Sequence, residues 1–448
     1  MTDSLKRKGW TVVLAGTGIN LALGILYTWS LFKGAIRTSI ETGGAGSFQW
    51  DLASINDPYA VACLAFAFSM ILAGKCQDRF GPRITALAGG LMVGAGFMLV
   101  SQSTSYLVWV LGFGVLAGMG MGFAYSSATP PALKWFPPAK TGLIAGIVVS
   151  GFGLAAVYIA PLATYLLDTW DLQTAMLFFG VAFAIVVGAL SMLLVNPPAD
   201  YLFGASASKA QKTLKAAPSV KTEGDFQPSE MLRTSTFYIL WGIYFIGAGA
   251  GLMVIGSVAG MAKSSLGELA FLAVAIMAIG NASGRIVAGS LSDKIGRTRT
   301  LCVMLAFQAA LMFAAIPVVG AESASAVLLV LLATFIGFNY GTNLALFPSF
   351  TKDFWGLKNF GINYGILFSA WGVGGFVMGR VSQMIQAQTG GFDLSFAVAG
   401  TLLTVAAGIA LTLKDLKAHQ MEQAAEAAET VELTSAAPQP VLDKAAAQ

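Results

Sequence analysis

The chain has 448 residues, of which 56% are hydrophobic and only 11% are charged. Roughly a quarter of the residues are charged in an ordinary soluble domain, so this composition excludes that class of protein. The net charge is a modest +4. Because most basic residues can be placed at one face of a membrane, as shown below, we expect no nucleic-acid partner.

Apolar runs recur along the first 413 residues, and a helix that spans a bilayer needs about 20 mostly apolar residues. The runs predict an all-α integral membrane protein with twelve transmembrane helices. The short alternating segments of a membrane β-barrel are missing from the sequence. The predicted spans cover approximately residues 10–36, 53–74, 84–102, 106–131, 141–166, 173–195, 235–262, 268–290, 299–320, 325–349, 361–386 and 392–413.

The distribution of Lys and Arg predicts the orientation of these spans. A cytoplasmic N-terminus places 21 basic residues in cytoplasmic segments and only three outside, namely Lys33, Arg37 and Lys263. Cytoplasmic loops carry an excess of Lys and Arg, and an even number of spans returns the chain to its starting side. We therefore expect both termini in the cytoplasm, in a multi-pass protein of the plasma (inner) membrane.

A polar segment rich in Ala, Ser, Lys and Pro divides the spans six and six. We predict an N-terminal half at 1–195, a cytoplasmic linker at 196–232 and a C-terminal half at 233–417. The tail at 418–448 is rich in Ala, Glu and Gln, and we expect it to be disordered.

An internal repeat relates the two halves. The segment GKCQDRFGPR at 74–83 recurs as GSLSDKIGRT at 289–298, and residues 140–146 match 359–365 at nearly the same offset. Two matches at similar offsets indicate duplication. The sequence thus predicts two pseudo-symmetric six-helix halves around a central cavity.

Arg285 is the charged residue inside the spans that most needs an explanation. It lies eight residues before Asp293, which places it about 12 Å from the predicted cytoplasmic loop. Asn281 lies one turn away on the same helical face, where it can orient the guanidinium or donate to a ligand oxygen. Arg285 belongs either to a substrate site or to a structural ion pair, and the scarcity of acidic residues in the spans favours a substrate site.

Two further charged residues lie near the predicted outer surface. Asp57 is placed about one turn inside the second span and is followed by Pro58; it is either a coupling carboxylate or a solvated residue at a helix start. Arg380 in the eleventh span is within reach of the interface, which favours snorkelling or gating over substrate binding. Other polar and aromatic residues are candidates to line a cavity beside Arg285, although each alone is more often ordinary packing: Tyr27, Trp29, Tyr125, Asn339, Tyr340, Asn343, Phe368 and Trp371.

The loops at 74–83 and 289–298 resemble the signature loop of the major facilitator superfamily. The resemblance implies two six-helix halves that rock in alternating access. Asp78 and Asp293 in these loops can pair with neighbouring cations or face a helix N-terminus, and such a latch would form in one state and break in the other. The alternative is a plain solvated loop charge.

The chain is also similar to a narrower group, the oxalate:formate antiporter and monocarboxylate transporter branches. This similarity rests on ASGR at 282–285, on QDRFGPR at 77–83 and on NYGILFSAWG at 363–372. It implies that Arg285 binds the substrate carboxylate.

Two positions depart from that group. The oxalate antiporter has a second cation, a Lys, where Trp371 aligns; because two buried carboxylates need two cationic partners, the substitution favours a monoanion. Animal-type monocarboxylate carriers have an Asp where this chain has Asn281. Proton coupling would then rest on Asp57, on Arg285 exchanging partners, or on a substrate that enters with its own proton.

These observations predict a monomeric secondary transporter of a small monocarboxylate such as lactate, pyruvate or formate, coupled to protons. The alternatives are an oxalate/formate-type exchanger, a multidrug exporter and a transporter-like sensor. A membrane-embedded enzyme is disfavoured, because the spans hold no convergent set of His, Asp, Glu or Cys. Three cysteines at scattered positions offer no metal-ligand spacing, so we expect no metal and no cofactor.

Overall fold

The computed structural model describes residues 3–44, 46–198, 225–256, 267, 270–319 and 325–413. Most of the predicted linker, Lys263 and the predicted tail lie outside these residues. The regular structure of the described part is helical, and twelve of its helices are long and apolar enough to cross a membrane. The predicted all-α fold with twelve spans is confirmed.

The twelve long helices are numbered in chain order. The first six are α1 (Arg7–Thr42), α2 (Asp57–Phe80), α3 (Pro82–Val100), α4 (Tyr106–Lys134), α5 (Thr141–Thr169) and α6 (Leu172–Ser191). The second six are α7 (Ser235–Ile255), α8 (Phe271–Ile295), α9 (Arg297–Val318), α10 (Ala326–Trp355), α11 (Phe360–Gln386) and α12 (Asp393–Ala410).

Helix pairing repeats every six helices. In the first six, α3 packs against α6, α2 against α4, and α1 against α5; in the second six, α9 packs against α12, α8 against α10, and α7 against α11. The most extensive contacts between the two sets join α2 to α11 and α5 to α8. These two pairs are equivalent, because each joins the second helix of one half to the fifth helix of the other. The helices therefore form two pseudo-symmetric six-helix halves. The residue boundaries of the halves, linker and tail remain predictions.

Glycines allow the halves to meet at one end of the bundle. A Cβ atom on Gly142 of α5 would lie 2.2 Å from the carbonyl oxygen of Gly289 on α8, and one on Gly74 of α2 would lie 2.2 Å from the carbonyl oxygen of Gly361 on α11. Side chains larger than hydrogen cannot fit there without a shift of the backbone. We call this end of the bundle, which also holds Asp78 and Asp293, the basic face, and the opposite end the cavity face.

The first helix is interrupted where it approaches α5. Residues Gly24–Thr28 form a 3₁₀ segment within α1, and a Cβ on Gly24 would lie 2.4 Å from the carbonyl oxygen of Phe152. A 3₁₀ segment in the middle of a helix changes the direction in which side chains project. This segment carries Tyr27.

The second helix begins a few residues later than the sequence predicts. The predicted position of Asp57, one turn inside the second span, is wrong: Asp57 is the first residue of α2, after Asn56, and Pro58 lies in the first turn. Proline favours this position because a helix leaves the N–H groups of its first turn without partners, and proline has no N–H.

The start of α6, outside the spans, is capped by Asp171. The backbone N–H of Thr174 donates to the Asp171 carboxylate, and this hydrogen bond lowers the pKa of that carboxyl.

Candidate functional site

Arg285 is fully buried between the halves. Its Nε donates to Asn281 Oδ1 at 2.9 Å, its Nη1 donates to the carbonyl oxygen of Val149, and its Nη2 donates to Tyr27 Oη at 3.1 Å. Within the described part of the chain, no carboxylate oxygen lies within 4.0 Å of this guanidinium. Neutral acceptors therefore orient Arg285, and its positive charge has no acidic partner among the described residues.

A chain of hydrogen bonds continues from Arg285 through two tyrosines. Tyr27 Oη and Tyr340 Oη are 2.8 Å apart, and Trp371 Nε1 donates to Tyr340 Oη, also at 2.8 Å. The structure thus brings together five of the residues singled out in the sequence, on α1, α8, α10 and α11. We call Asn281, Arg285, Tyr27, Tyr340 and Trp371 the arginine cluster.

Aromatic rings form one wall of the arginine cluster. Phe368 stacks on Trp371 with ring centroids 5.0 Å apart, and Tyr125 packs 5.6 Å from Phe368. The Tyr125 side chain is buried. Phe66 also contacts Trp371, at 5.2 Å; it was missed in the sequence because nothing in its spacing distinguishes it from the other 29 phenylalanines.

Three of the other candidate lining residues remain outside the arginine cluster. Asn339 and Asn343 donate to carbonyl oxygens of their own helix. Trp29 lies nearer the cavity face, where its Nε1 donates to Asn56 Oδ1 at 3.1 Å. The spacing of these residues in the sequence does not reveal which turn of the helix faces Arg285.

A cavity of about 70 Å³ lies between the halves, several times the roughly 10–15 Å³ that one water needs. Its walls come from α1, α2, α7 and α11, and Tyr27 of the arginine cluster is among its lining residues. Arg285 is not among the lining residues; it is linked to the cavity wall through its hydrogen bond to Tyr27.

Asp57 and Arg380 line the same cavity nearer the helix ends. Asp57 Oδ1 is 4.0 Å from Arg380 Nη2, and Tyr106 Oη donates to Asp57 Oδ2 at 2.9 Å. Asp57 and Arg380 come from opposite halves, so they form a loose contact across the cavity. Neither side chain belongs to the arginine cluster.

Asp293 joins the two halves at the basic face. The backbone N–H groups of Gly142 and Leu143, at the start of α5, donate to its carboxylate at 3.0 and 2.9 Å. Arg297 donates to the same carboxylate at 2.6 Å and to Asp353 at 2.9 Å. The positive end of the α5 dipole therefore receives a negative charge from the opposite half.

Asp78 occupies the corresponding place in the first half. Its carboxylate accepts a hydrogen bond from the backbone N–H of Ile362, at the start of α11, over 3.4 Å. Each aspartate of the repeat thus faces a helix N-terminus of the other half, and the Asp293 contact is the tighter of the two. We call these two contacts the latch.

Comparisons with known proteins agree with this architecture. The family model of the Major Facilitator Superfamily matches residues 9–379 and 240–444. The chain is 31% identical over 388 residues to the uncharacterized MFS-type transporter YhjX of Escherichia coli, covering 84% of this chain and 88% of YhjX. It is 29% identical over 375 residues to the oxalate:formate antiporter of Oxalobacter formigenes, covering 82% of each.

More distant relatives include monocarboxylate transporter 13 of Bos taurus, 25% identical with 90% of this chain and 89% of the relative covered. Among solved structures, the proton:xylose symporter XylE superposes with a TM-score of 0.71 at 15% identity, over 92% of this chain and 99% of XylE. This structural likeness shows the shared fold alone. The family and the relatives are transporters and not enzymes, and the chain belongs to the Major Facilitator Superfamily.

Proposed function

We propose that this transporter carries a small monocarboxylate of the lactate, pyruvate or formate class, and that Arg285 binds the carboxylate. The observation that carries the proposal is the buried guanidinium, which has no carboxylate partner among the described residues and donates a hydrogen bond to Tyr27 in the wall of the cavity between the halves. An unpaired buried charge is costly, and an anionic ligand would supply the missing charge. The planar guanidinium matches a carboxylate with two parallel hydrogen bonds.

The charge of the arginine cluster favours a monoanion over a dianion. Arg285 is its single cation, and Trp371 occupies the position at which the oxalate:formate group has a Lys. Trp371 is buried against Phe66 and Phe368, so it also restricts the space beside Tyr340. A substrate with one carboxylate and few carbons fits this environment.

We further propose that the basic face is cytoplasmic and that the cavity faces outward. The excess of Lys and Arg at one side supports this orientation. In this state the latch and the glycine contacts close the basic face. Rocking of the halves would break these contacts and open a path from Arg285 to the cytoplasm.

Proton symport is the coupling mode that we propose for uptake. Moving one elementary charge across 100 mV is worth about 2.3 kcal/mol, so entry of a lone anion into a negative-inside cell is opposed. A monocarboxylate that enters with one proton is neutral. Asp57 is the leading side-chain candidate for the proton, because it lines the cavity near the cavity face.

An anion exchanger is the second candidate. No acidic side chain in the described part of the chain lies within ion-pair distance of Arg285, and an exchanger needs no proton acceptor beside its substrate. The similarity to the oxalate:formate antiporter favours the same mode.

Uptake into proteoliposomes distinguishes these possibilities. Labelled lactate, pyruvate, formate and oxalate are offered to empty liposomes, with and without an inward proton gradient, and to liposomes preloaded with unlabelled carboxylate. Proton symport predicts that the gradient alone drives accumulation of a monocarboxylate in empty liposomes. Accumulation only after preloading would replace symport by exchange, and a lack of uptake of all four anions under every condition would contradict the substrate class.

A further inference from the structure

The end of the cavity away from Arg285 has a charge pattern of its own. Lys33 of α1 and Arg380 of α11 both line the cavity, and Asp57 is the one acidic residue that lines it within the described part of the chain. Two cations against one carboxylate leave this end with a net positive charge. A cavity with an excess of one sign attracts ligands of the opposite sign.

The two cations have unused capacity to bind an anion. The Lys33 side chain makes no hydrogen bond or ion pair with the described residues. Arg380 approaches Asp57 at 4.0 Å, which is an ion-pair contact beyond hydrogen-bond distance. A guanidinium has five N–H donors, and none of those of Arg380 forms a hydrogen bond within the described part of the chain.

Asp57 does not neutralise both cations. One of its oxygens accepts a hydrogen bond from Tyr106 at 2.9 Å, and the other is the atom 4.0 Å from Arg380. The Tyr106 bond joins the carboxylate to α4, and the Arg380 contact is long by comparison. An incoming carboxylate can therefore approach Arg380 and Lys33 without first breaking a hydrogen-bonded salt bridge.

This positive region is separate from the arginine cluster. Lys33 lies six residues beyond Tyr27 on α1, which corresponds to about 9 Å along the helix axis. Tyr27 lines the cavity and accepts a hydrogen bond from Arg285. A small anion beside Lys33 and Arg380 thus lies nearer the cavity face than an anion bound at Arg285.

We propose that Lys33 and Arg380 form a second, outer binding station that captures the small carboxylate anion before it reaches Arg285. The carboxylate of Asp57 competes with the anion for Arg380, because it lies next to the same guanidinium. The identity of the anion rests on the proposed function, whereas the existence of the station rests on the charges and the cavity. Experiments can therefore contradict the outer station and the proposed substrate class separately.

Binding to the full-length protein in nanodiscs at low ionic strength tests the outer station. The probes are labelled pyruvate and formate, and the background variant is Arg285→Gln, which removes the inner cation. We expect residual binding in the millimolar range, weakened about tenfold by Lys33→Gln or by Arg380→Gln, as expected for loss of a charged hydrogen bond. In the same background, Asp57→Asn should tighten residual binding by about threefold through loss of the competing charge.

Arg37→Gln is the matched control. Arg37 lies one turn beyond Lys33 but pairs with Glu41 in an exposed contact and does not line the cavity, so residual binding should be unchanged. If Arg285→Gln does not yield folded protein, Arg285→Met serves as the background, because it also removes the inner cation. Residual binding that is absent, or that persists unchanged in Lys33→Gln and Arg380→Gln, overturns the outer station even if the wild-type protein transports monocarboxylates. Residual binding that depends on both cations supports the station even if uptake of these anions fails.

Discussion

Arg285 shows how far the sequence leads at the scale of single residues. Its depth and its i,i+4 relation to Asn281 were visible in the sequence, and the structure contains the corresponding hydrogen bond. The Val149 carbonyl and the Tyr27 hydroxyl could not be found in this way, because they come from helices more than 100 positions away in the chain. Local spacing predicts neighbours on one helix, whereas hydrogen-bond partners on other helices depend on how the halves pack.

Asp57 shows that hydropathy does not locate a single residue within a helix. Hydropathy placed it about one turn inside a span, with a solvated helix start as the alternative, and the structure makes it the first residue of α2. The signal was present in the sequence, since a proline directly after a polar pair favours a helix start. Apolar run length measures the part of a helix in lipid and does not locate its first turn.

At Trp371, replacement by Lys should extend the substrate range toward dicarboxylates. The change removes the hydrogen bond to Tyr340 and places a second cation near Arg285, which would offset the desolvation of a second carboxylate. The measurement is competition by oxalate against uptake of a labelled monocarboxylate. Trp371→Gln is the control, because it removes the ring without adding charge. Oxalate that competes no better in Trp371→Lys than in Trp371→Gln would contradict a role for this position in selecting the charge of the substrate.

At the scale of helices, the latch and the glycine contacts determine how tightly the basic face closes. The sequence predicted that Asp78 and Asp293 could face helix N-termini, and it related the two loops through the repeat. It could not predict that the Asp293 side would be tighter, because the Arg297 and Asp353 contacts depend on the ends of α9 and α10. Pseudo-symmetry fixes corresponding positions, whereas local side chains set the strength of each contact.

Gly142→Ala should hold the basic face open. The added methyl group would lie 2.2 Å from the Gly289 carbonyl oxygen, so α5 and α8 must separate. We expect uptake to fall at least about tenfold, since a backbone shift that costs about 1.4 kcal/mol changes an equilibrium constant tenfold. Distances between spin labels on the basic-face ends of α5 and α8 should lengthen.

Gly188→Ala is the control for that substitution. A methyl group there meets only Leu87, at an ordinary 3.6 Å, so uptake and spin-label distances should match those of the wild type. Unchanged distances in Gly142→Ala would show that this glycine contact does not govern closure.

For the whole molecule, composition and hydropathy were sufficient to predict twelve spans, because a bilayer imposes a length and an apolarity that few other structures require. The sequence predicted a central cavity but not its full lining, because the lining depends on where the two halves meet. Its lining residues on α1, α2, α7 and α11 are spread over most of the chain.

Orientation is a further expectation for the whole molecule. The excess of basic residues on one side predicts cytoplasmic termini. An epitope added after Gln448 should resist protease in intact spheroplasts and become accessible in inverted vesicles. Cleavage in intact spheroplasts would contradict this orientation and the assignment of the cavity to the outside.

The most direct test of carboxylate binding at Arg285 is uptake of the transported monocarboxylate by Arg285→Lys in proteoliposomes. Lys keeps the positive charge but lacks the planar pair of donors, so we expect at least a tenfold loss of uptake, the size of a lost charged hydrogen bond. Expression and thermal stability should be retained. Arg233→Lys, at an exposed position just before α7, is the matched control and should transport like the wild type. Wild-type uptake by Arg285→Lys would contradict the proposal that this guanidinium holds the substrate.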